Sequence, residues 1–211
     1  MSDEEARLLN ERAPGGNIVT IPLIRDIPGR TRRFEKRDGI GFIGGYKHSP
    51  NIDAVLYFLD EIWPLIRRKI PDVTFHLMGA DMPDELKCRK DPGLSVIGKV
   101  DDLSDSFERL RLTVAPLRYG AGAKGKVVTS LSHGVPCVVT PVAAEGMGVG
   151  EASAVLIGRD PKEFAAQVIN AYLDPAVWND LSDRGLRLMQ EKYSFSAGMQ
   201  NVENVLASIF E

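Results

Sequence analysis

The feature that most constrains the fold is an alternation of strand-like and helix-like segments that begins near Gly39. Short apolar runs at residues 39–45 (GIGFIGG) and 73–78 (VTFHLM) are bounded by glycine and are typical of buried strands. Between them, residues 52–66 carry apolar side chains at steps of three and four, the pattern of an amphipathic helix. Strands that alternate with helices favour a parallel sheet covered on both faces. The sequence therefore predicts an α/β fold, a Rossmann-like domain with a doubly wound parallel sheet.

The remaining elements follow from the same patterns. Further strands are predicted at residues 94–97, 112–117, 135–140 and 154–157, and a last helix around residues 199–209. Helix starts are predicted at Ser49, Asp101, Asp160 and Asp174, because side chains of these types cap the first turn. Pro64 should kink its helix or end the first part of it, because proline has no backbone N–H to donate.

The first 37 residues do not continue this alternation. A short helix after Ser2 should end at residues 14–16 (PGG), and residues 18–23 (IVTIPL) read as a short strand that Pro22 weakens. Residues 25–38 are polar and rich in arginine and lysine, which is typical of a linker. We therefore expect a boundary near residue 38, with residues 1–37 as a leading segment plus linker and 38–211 as the main domain.

Composition excludes several classes of function. A content of 44% hydrophobic residues excludes a disordered chain, and a formal net charge of −3 argues against a strongly basic nucleic-acid binder. The sequence contains no run of about 18 uncharged apolar residues, so no membrane span is predicted. The polar start (MSDEEARLLNERAPGG) lacks the apolar core of a signal peptide, so a cytoplasmic location is expected. Cys88 and Cys137 form neither a disulfide framework nor a zinc pattern, no metal site is predicted, and Cys137 is expected to be a buried free thiol.

In a doubly wound sheet, ligands bind beyond the carboxyl ends of the strands, so the loops there are the candidate sites. The loop after the first strand (GGYKHSP, residues 44–50) has two glycines that let backbone amides approach a ligand closely. The N-terminus of the helix that follows favours an anion, and Lys47 adds a positive charge. The alternative is a tight turn that needs glycine at positive φ, and the sequence leaves both readings open.

The strongest signal for a ligand is the loop of residues 118–126 (RYGAGAKGK), directly before a predicted helix. Backbone amides, the helix dipole and fixed cations together predict a diphosphate site here. The spacing of Gly120, Gly125 and Lys126 matches a Walker A loop, but Val127 replaces the Ser or Thr that binds magnesium. A dinucleotide fingerprint would lie on the first strand rather than this late in the chain. The alternative reading is a solvated basic loop.

The histidines and carboxylates give little support for a catalytic triad. His76 is expected to be a sheet residue, and His133 a helix C-terminal residue next to Gly134. His48, in the first glycine loop, is kept as a site candidate. Glu145 lies beyond a strand end and could serve either the site or a loop cap.

Three separated segments resemble a known family. Residues 116–147 (PLRYGAGAKGKVVTSLSHGVPCVVTPVAAEGM) resemble the donor-binding motif of the retaining glycosyltransferases with the GT-B fold, the "glycosyl transferases group 1" family. Residues 41–64 (GFIGGYKHSPNIDAVLYFLDEIWP) resemble the first strand, glycine loop and helix of its C-terminal domain, and VIGKVDDLSDSF resembles its base-contacting loop. The resemblance covers residues 38 to 211 and implies one half of a GT-B architecture, with residues 1 to about 30 resembling the end of the other half.

The resemblance also implies roles for individual residues. Gly44 and Gly45 would line the donor phosphates with Lys47 nearby, and Arg118 and Lys126 would be the catalytic cations on the diphosphate. The nucleobase would lie against Lys99, Val100 and Leu103. The remaining donor contacts would come from the glycine-rich loop and the helix after it, namely Ala121, Gly122, Ala123, Lys124, Gly125 and Thr129. Many family members carry glutamates where this chain has Ala121 and Thr129, whereas a subgroup with GAG-x-KGK in this loop is more similar.

The family implies transfer of a hexosyl group from a nucleoside diphosphate sugar with retention, with the departing diphosphate stabilised by the cations rather than by a cofactor. The expected partners are the nucleotide sugar and an N-terminal GT-B domain or partner chain, through which a membrane surface could be contacted. No nucleic acid is expected. Two alternatives remain open at this point: a non-catalytic nucleotide-binding module of the same fold, and half of a GT-B epimerase.

Overall fold

A computed structural model describes residues 3–13, 23–120, 122, 124–150 and 152–210. Its strands are β1 (Asp38–Ile43), β2 (Phe75–Met78), β3 (Leu94–Gly98), β4 (Leu110–Ala115), β5 (Cys137–Val139) and β6 (Leu156–Ile157). They form one sheet in the order β3-β2-β1-β4-β5-β6, and every neighbouring pair is parallel. The predicted α/β, Rossmann-like, doubly wound fold is therefore confirmed.

Helices connect the strands and cover both faces of the sheet. In chain order they are α1 (Asp3–Arg12), α2 (Ser49–Tyr57), α3 (Trp63–Arg67), α4 (Asp84–Lys87), α5 (Ser104–Arg109), α6 (Gly125–Ser132), α7 (Pro141–Ala144), α8 (Pro161–Leu173), α9 (Pro175–Lys192) and α10 (Phe195–Phe210). The side chains of Asp160 and Asp174 accept hydrogen bonds from backbone N–H groups in the first turns of α8 and α9, as predicted. Among the described residues, none of the helices combines the length and apolar character that a membrane span needs.

The strand order places a switch point between β1 and β4. From β1 the chain builds outward through β2 to β3, and then returns to place β4 on the other side of β1. The connections after β1 and β4 therefore leave the sheet in opposite directions and open a crevice beyond the carboxyl ends of these strands. Phe42 in β1 and Val114 in β4 are buried beneath this crevice.

A buried arginine packs at the amino ends of the strands, opposite the crevice. Arg37, directly before β1, is 1% exposed, and its guanidinium donates to the carbonyl oxygens of Phe107 (2.6 Å) and Leu110 (3.2 Å). It also lies over the ring of Trp178 in α9, 5.4 Å from the ring centre. The carbonyl acceptors, the aromatic face and the Glu108 carboxylate, 3.4 Å from Nη2, together compensate for its loss of water. These contacts fix the start of β1 against β4 and leave the carboxyl edge free for a ligand.

Two helix starts differ from the sequence prediction, and the interruption predicted at Pro64 takes the form of a π-helical turn. Ser49 is the first residue of α2 rather than its cap, and His48 occupies the cap position. The helix predicted after Asp101 begins only at Ser104, because the loop is longer and Asp102 accepts the Ser104 N–H (2.8 Å). Before Pro64 the helix widens into a π-helical turn at Phe58–Ile62, which accommodates the missing proline N–H. The helix cap at Ser2, the end at residues 14–16 and the strand at residues 18–23 lie outside the described residues, apart from Leu23, which is not in a strand.

The loop after β1 and the loop after β2 are in close contact at Gly79, so a larger residue there should destabilise the fold. A Cβ on Gly79 would lie 1.7 Å from the Gly44 carbonyl oxygen, and the residue has φ of +143°. Gly79→Ala should therefore lower the free energy of unfolding by about 3 kcal/mol through the forced separation of the two loops. Gly98→Ala is the matched control: its φ is +79°, but no described atom lies within 4 Å of the added carbon, so about 1 to 2 kcal/mol is expected. Equal losses in chemical denaturation would contradict this account.

Candidate functional site

The glycine loops predicted from the sequence come together at the crevice between β1 and β4. A cavity of about 140 Å³ opens there, beneath the start of α6. It is lined by His48, Pro50, Leu117, Tyr119, Gly120, Lys124, Gly125 and Lys126. Among the described residues, this lining includes two lysines and no carboxylate, so its charge is positive. His48 is the one histidine in the lining, whereas His76 lies within β2 and His133 at the end of α6, as predicted.

Neither glycine after β1 is needed for a special backbone conformation, and only Gly44 is needed for space. Neither Gly44 nor Gly45 has a positive φ, so the alternative reading of a turn that requires one is wrong. A Cβ on Gly44 would lie 2.9 Å from Asn51 Nδ2, so the missing side chain makes room for this amide. A Cβ on Gly45 would meet no described atom within 4 Å, because Gly45 is exposed. Its backbone is therefore accessible to a ligand.

Backbone hydrogen bonds hold the glycine loop against the loop after β2. Gly44 N–H donates to the Met78 carbonyl (3.1 Å), and Tyr46 N–H donates to the Ala80 carbonyl (3.0 Å). The Tyr46 ring is buried against Phe42, 6.3 Å between ring centres. The loop therefore has a fixed shape, set mainly by its own backbone and by one aromatic anchor.

Lys126, in the first turn of α6, lies at the floor of the crevice. Its ammonium donates a hydrogen bond to Asn51 Oδ1 and lies over the Phe42 ring, 4.2 Å from the ring centre. Within the described part of the chain, no carboxylate forms an ion pair with it. Lys126 is thus a half-buried cation at the positive end of a helix, with only neutral partners.

This environment changes the acidity of Lys126. Its pKa is lowered to about 8, chiefly because burial disfavours the charged form; the Cys137 thiol opposes this shift, and the neighbouring Lys124 ammonium adds to it. Cys137 is buried and free, as predicted, and burial raises the pKa of its thiol to about 12. An anion placed in the crevice would favour the charged form of Lys126.

The glycine-rich loop curls around the other lysine. Lys124 is buried, and its ammonium donates to the carbonyl oxygens of Gly120 (3.1 Å) and Gly122 (2.5 Å). Both glycines have positive φ, +128° and +76°, which side-chain-bearing residues rarely adopt. The Lys124 N–H contacts the sulfur of Met147 (3.2 Å). Lys124 therefore stabilises the loop through hydrogen bonds to its backbone. Ala121 and Ala123 lie outside the described residues.

Arg118 is turned away from the cavity lining. Its guanidinium forms a two-pronged ion pair with Asp53 of α2, with Nε 3.0 Å from Oδ2, and lies over the Tyr57 ring at 4.9 Å. The pair raises the pKa of Arg118 through the Asp53 hydrogen bonds. The Arg118 side chain is half exposed, and such surface pairs contribute less than about 1 kcal/mol. An incoming phosphate could therefore displace Asp53 with little loss of stability.

None of the remaining described site residues lines the cavity. Lys99 pairs with Asp101 at the surface (2.9 Å), and Val100 and Leu103 pack half-buried on Met78 and Phe107. The Thr129 hydroxyl donates to the Gly125 carbonyl one turn earlier (2.8 Å). Lys47 is highly exposed, and its ammonium lies 3.7 Å from an Asp81 carboxylate oxygen. Glu145 is exposed at the end of α7.

Two residues near the site were missed by sequence reasoning. Asn51 lies in the helix next to the loop, where only its place after Ser49 and Pro50 could have drawn attention to it. Arg25 was assigned to the linker, but its Nη2 atom lies 4.0 Å from the point where a Gly125 Cβ would be. Its N–H donates to the Tyr193 carbonyl (2.8 Å), which holds this segment against the end of α9.

The lowered pKa of Lys126 predicts how stability depends on pH. Between about pH 8 and the ordinary lysine value of about 10.4, the folded chain has lost this proton and the unfolded chain still binds it. Stability rises with pH where the unfolded state binds more protons, so the free energy of unfolding should rise relative to that of Lys126→Met over this window. Below about pH 8 the difference between them should be constant. Lys69→Met, at an exposed lysine, controls for the loss of one charge, and parallel pH curves for wild type and Lys126→Met would contradict the prediction.

Three solved structures of similar fold are remote in sequence. TarM from S. aureus superposes with a TM-score of 0.79 at 17% identity, over 97% of this chain and 42% of TarM. Sucrose-phosphate synthase from Thermosynechococcus elongatus gives 0.71 at 16% identity, over 98% of this chain and 56% of that enzyme. The C-terminal domain of the group 1 glycosyl transferase LpcC from Francisella tularensis gives 0.61 at 17% identity, over 76% of this chain and 90% of that domain. This chain thus spans about half the length of the first two.

The family is identified by a family model, because structures of such low sequence identity show the fold alone. No curated protein sequence matches the chain. The model described as "Glycosyl transferases group 1" matches residues 37–174, more than half of the chain, and includes both glycine loops and the whole sheet. With this match and the shared fold, the chain belongs to the group 1 glycosyl transferases.

Proposed function

We propose that this chain binds the diphosphate of a nucleotide sugar between β1 and β4, as the donor half of a glycosyltransferase that moves a hexosyl group. The observation that carries the proposal is Lys126, a half-buried ammonium with only neutral partners among the described residues. Burying a charge without a counter-charge is unfavourable, and a bound anion removes that penalty. TarM, the solved structure of highest TM-score among those described above, was crystallised with UDP.

The backbone around Lys126 suits a diphosphate in particular. The Val127 N–H, in the first turn of α6, donates to the Lys124 carbonyl (2.8 Å). The N–H groups before it in a helix have no acceptor within the helix and can serve an anion. Gly45 has open space beside it, so its backbone is accessible to a ligand. Arg25, beside Gly125, adds a second cation at the rim. A diphosphate spans two phosphate groups and can use both sides of the crevice.

In the reaction, the bond between the sugar and the diphosphate breaks, the sugar forms a new bond to the acceptor, and negative charge develops on the departing diphosphate. Lys126 and the α6 amides are already oriented toward this charge, and such preorganised groups lower the barrier without rearranging. Arg118 would join them by exchanging Asp53 for a phosphate oxygen. Gly44, Gly45 and Lys47 would line the same phosphates, and the base would lie near Lys99, Val100 and Leu103.

Nucleotide binding is the direct test. In calorimetry with UDP, GDP, dTDP, ADP and CMP, one nucleoside diphosphate should bind, and Lys126→Ala should weaken it at least tenfold through loss of the buried cation. Wild-type affinity should fall about tenfold from pH 7 to pH 9, because Lys126 loses its proton near pH 8 and the neutral amine does not attract the anion.

Lys36→Ala is the matched control, since Lys36 is exposed at the opposite edge of the sheet. It should bind as the wild type does. If no nucleotide binds at millimolar concentration, or if both variants lose affinity equally, the proposed donor site is wrong. Binding without sugar transfer, even with a second domain supplied, would instead favour a non-catalytic nucleotide-binding module.

We also propose that the active enzyme contains a second domain that packs on α10. Phe195, Met199, Val202 and Leu206 recur at steps of four, three and four and form an exposed apolar stripe, with Phe195 69% exposed. A stripe of this kind marks an interaction surface. The share of this chain in TarM, 42%, leaves room for such a domain.

The stripe predicts self-association of the isolated chain. In sedimentation at high protein concentration, the double variant Met199→Ser, Leu206→Ser should be less associated than the wild type, because it removes two apolar contacts. Leu173→Ser, at an exposed leucine outside α10, is the control and should behave as the wild type. A wild-type chain that stays monomeric at all concentrations would contradict the prediction.

A further inference from the structure

Asn51, which has no predicted role, joins the two loops of the candidate site. It is 6% exposed, and both ends of its side-chain amide are used. Nδ2 donates to the Gly45 carbonyl (2.7 Å), and Oδ1 accepts a hydrogen bond from the Lys126 ammonium. One side chain thus links the glycine loop after β1 to the first turn of α6.

The surroundings of Asn51 determine which way its amide points. The Gly45 carbonyl can only accept a hydrogen bond and the Lys126 ammonium can only donate one, so the reversed orientation would lose both. The missing side chain at Gly44 leaves just enough room, because a Cβ there would meet Nδ2 at 2.9 Å. Asn51 N–H also donates to the His48 carbonyl (2.9 Å). The amide is therefore held in one place.

A neutral acceptor in this position has a specific chemical consequence. A carboxylate in place of the amide would form an ion pair with Lys126 and cancel its charge, whereas an amide holds the ammonium and leaves the charge in place. We propose that Asn51 is a positioning residue that holds Lys126 and the Gly45 carbonyl in one arrangement while leaving the lysine charge available to a diphosphate. This inference rests on the proposed function.

The groups that face Lys126 are known for each described element packed against it. They are the Asn51 amide from α2, the Phe42 ring from β1, the Cys137 thiol from β5 and the Lys124 ammonium just before α6. Burial raises the pKa of Cys137 to about 12, so this thiol stays neutral between pH 6 and pH 9. Changes at Asn51 should therefore appear directly in the pH profile of Lys126.

The test measures calorimetric affinity for inorganic pyrophosphate, and for the nucleoside diphosphate that the wild type binds, from pH 6 to pH 9.5. Asn51→Asp keeps the size of the side chain but adds a carboxylate next to Lys126. It should weaken binding at pH 7 at least tenfold, and the midpoint of the loss of affinity with pH should rise by one pH unit or more. Asn51→Ala should weaken binding at least threefold and move the loss of affinity to lower pH, because the ammonium loses its acceptor. Opposite shifts of this kind are not expected from general damage to the fold.

Asn170→Asp, at an exposed position of α8, introduces the same charge elsewhere and should bind as the wild type does. If Asn51→Asp or Asn51→Ala keeps wild-type affinity and pH profile while Lys126→Ala loses binding, the role of Asn51 is wrong and the proposed function stands. If Asn51→Asp does not fold, Asn51→Ala alone decides by the same criterion. If the wild type binds neither pyrophosphate nor a nucleotide, the proposed function fails and this inference fails with it.

Discussion

The placement of one ammonium at the switch point of the sheet is the constraint on which the candidate site depends. Lys126 combines a hydrogen bond to a neutral amide, an aromatic face beneath it and a lowered pKa. In an isolated chain this arrangement is unfavourable, because the charge is partly removed from water and lies at the positive end of α6. A fold that keeps such a cost at a crevice is typical of a binding site, where stability is exchanged for function. The proposed roles of the neighbouring glycines, of Asn51 and of the glycine-rich loop all depend on the charge of Lys126.

The rest of the fold holds this charge in a fixed frame. Arg37 and Trp178 close the amino edge of the sheet, so that β1 and β4 end together at the opposite edge. Gly79 brings the loop after β2 against Gly44, and Asn51 joins Gly45 to α6. Arg118 forms a half-exposed ion pair with Asp53, and another anion could take the place of Asp53. In the proposed function, Arg118 is the one side chain of this site that would change its partner.

The sequence was sufficient for the architecture and for the loops that line the cavity. Alternating strand and helix patterns predict the sheet, the aspartates before α8 and α9 predict their starts, and the glycine-rich loops identify the crevice. What the sequence could not provide was the partner of each side chain. Lys126 and Asn51 are 75 positions apart, and Arg118 and Asp53 are 65 apart. Pairings over such distances depend on the path of the chain through space, which local patterns do not contain; Arg25 was missed for the same reason.

The most direct test of the account is the titration of Lys126 itself, followed by NMR of the lysine ε carbons, with Lys126→Ala used to assign the signal. The account predicts a midpoint near pH 8 in the free chain and a rise of at least one pH unit when the bound nucleoside diphosphate is added, because the anion stabilises the charged form. A midpoint near the ordinary lysine value of about 10.4, or one that the nucleotide leaves unchanged, would contradict it.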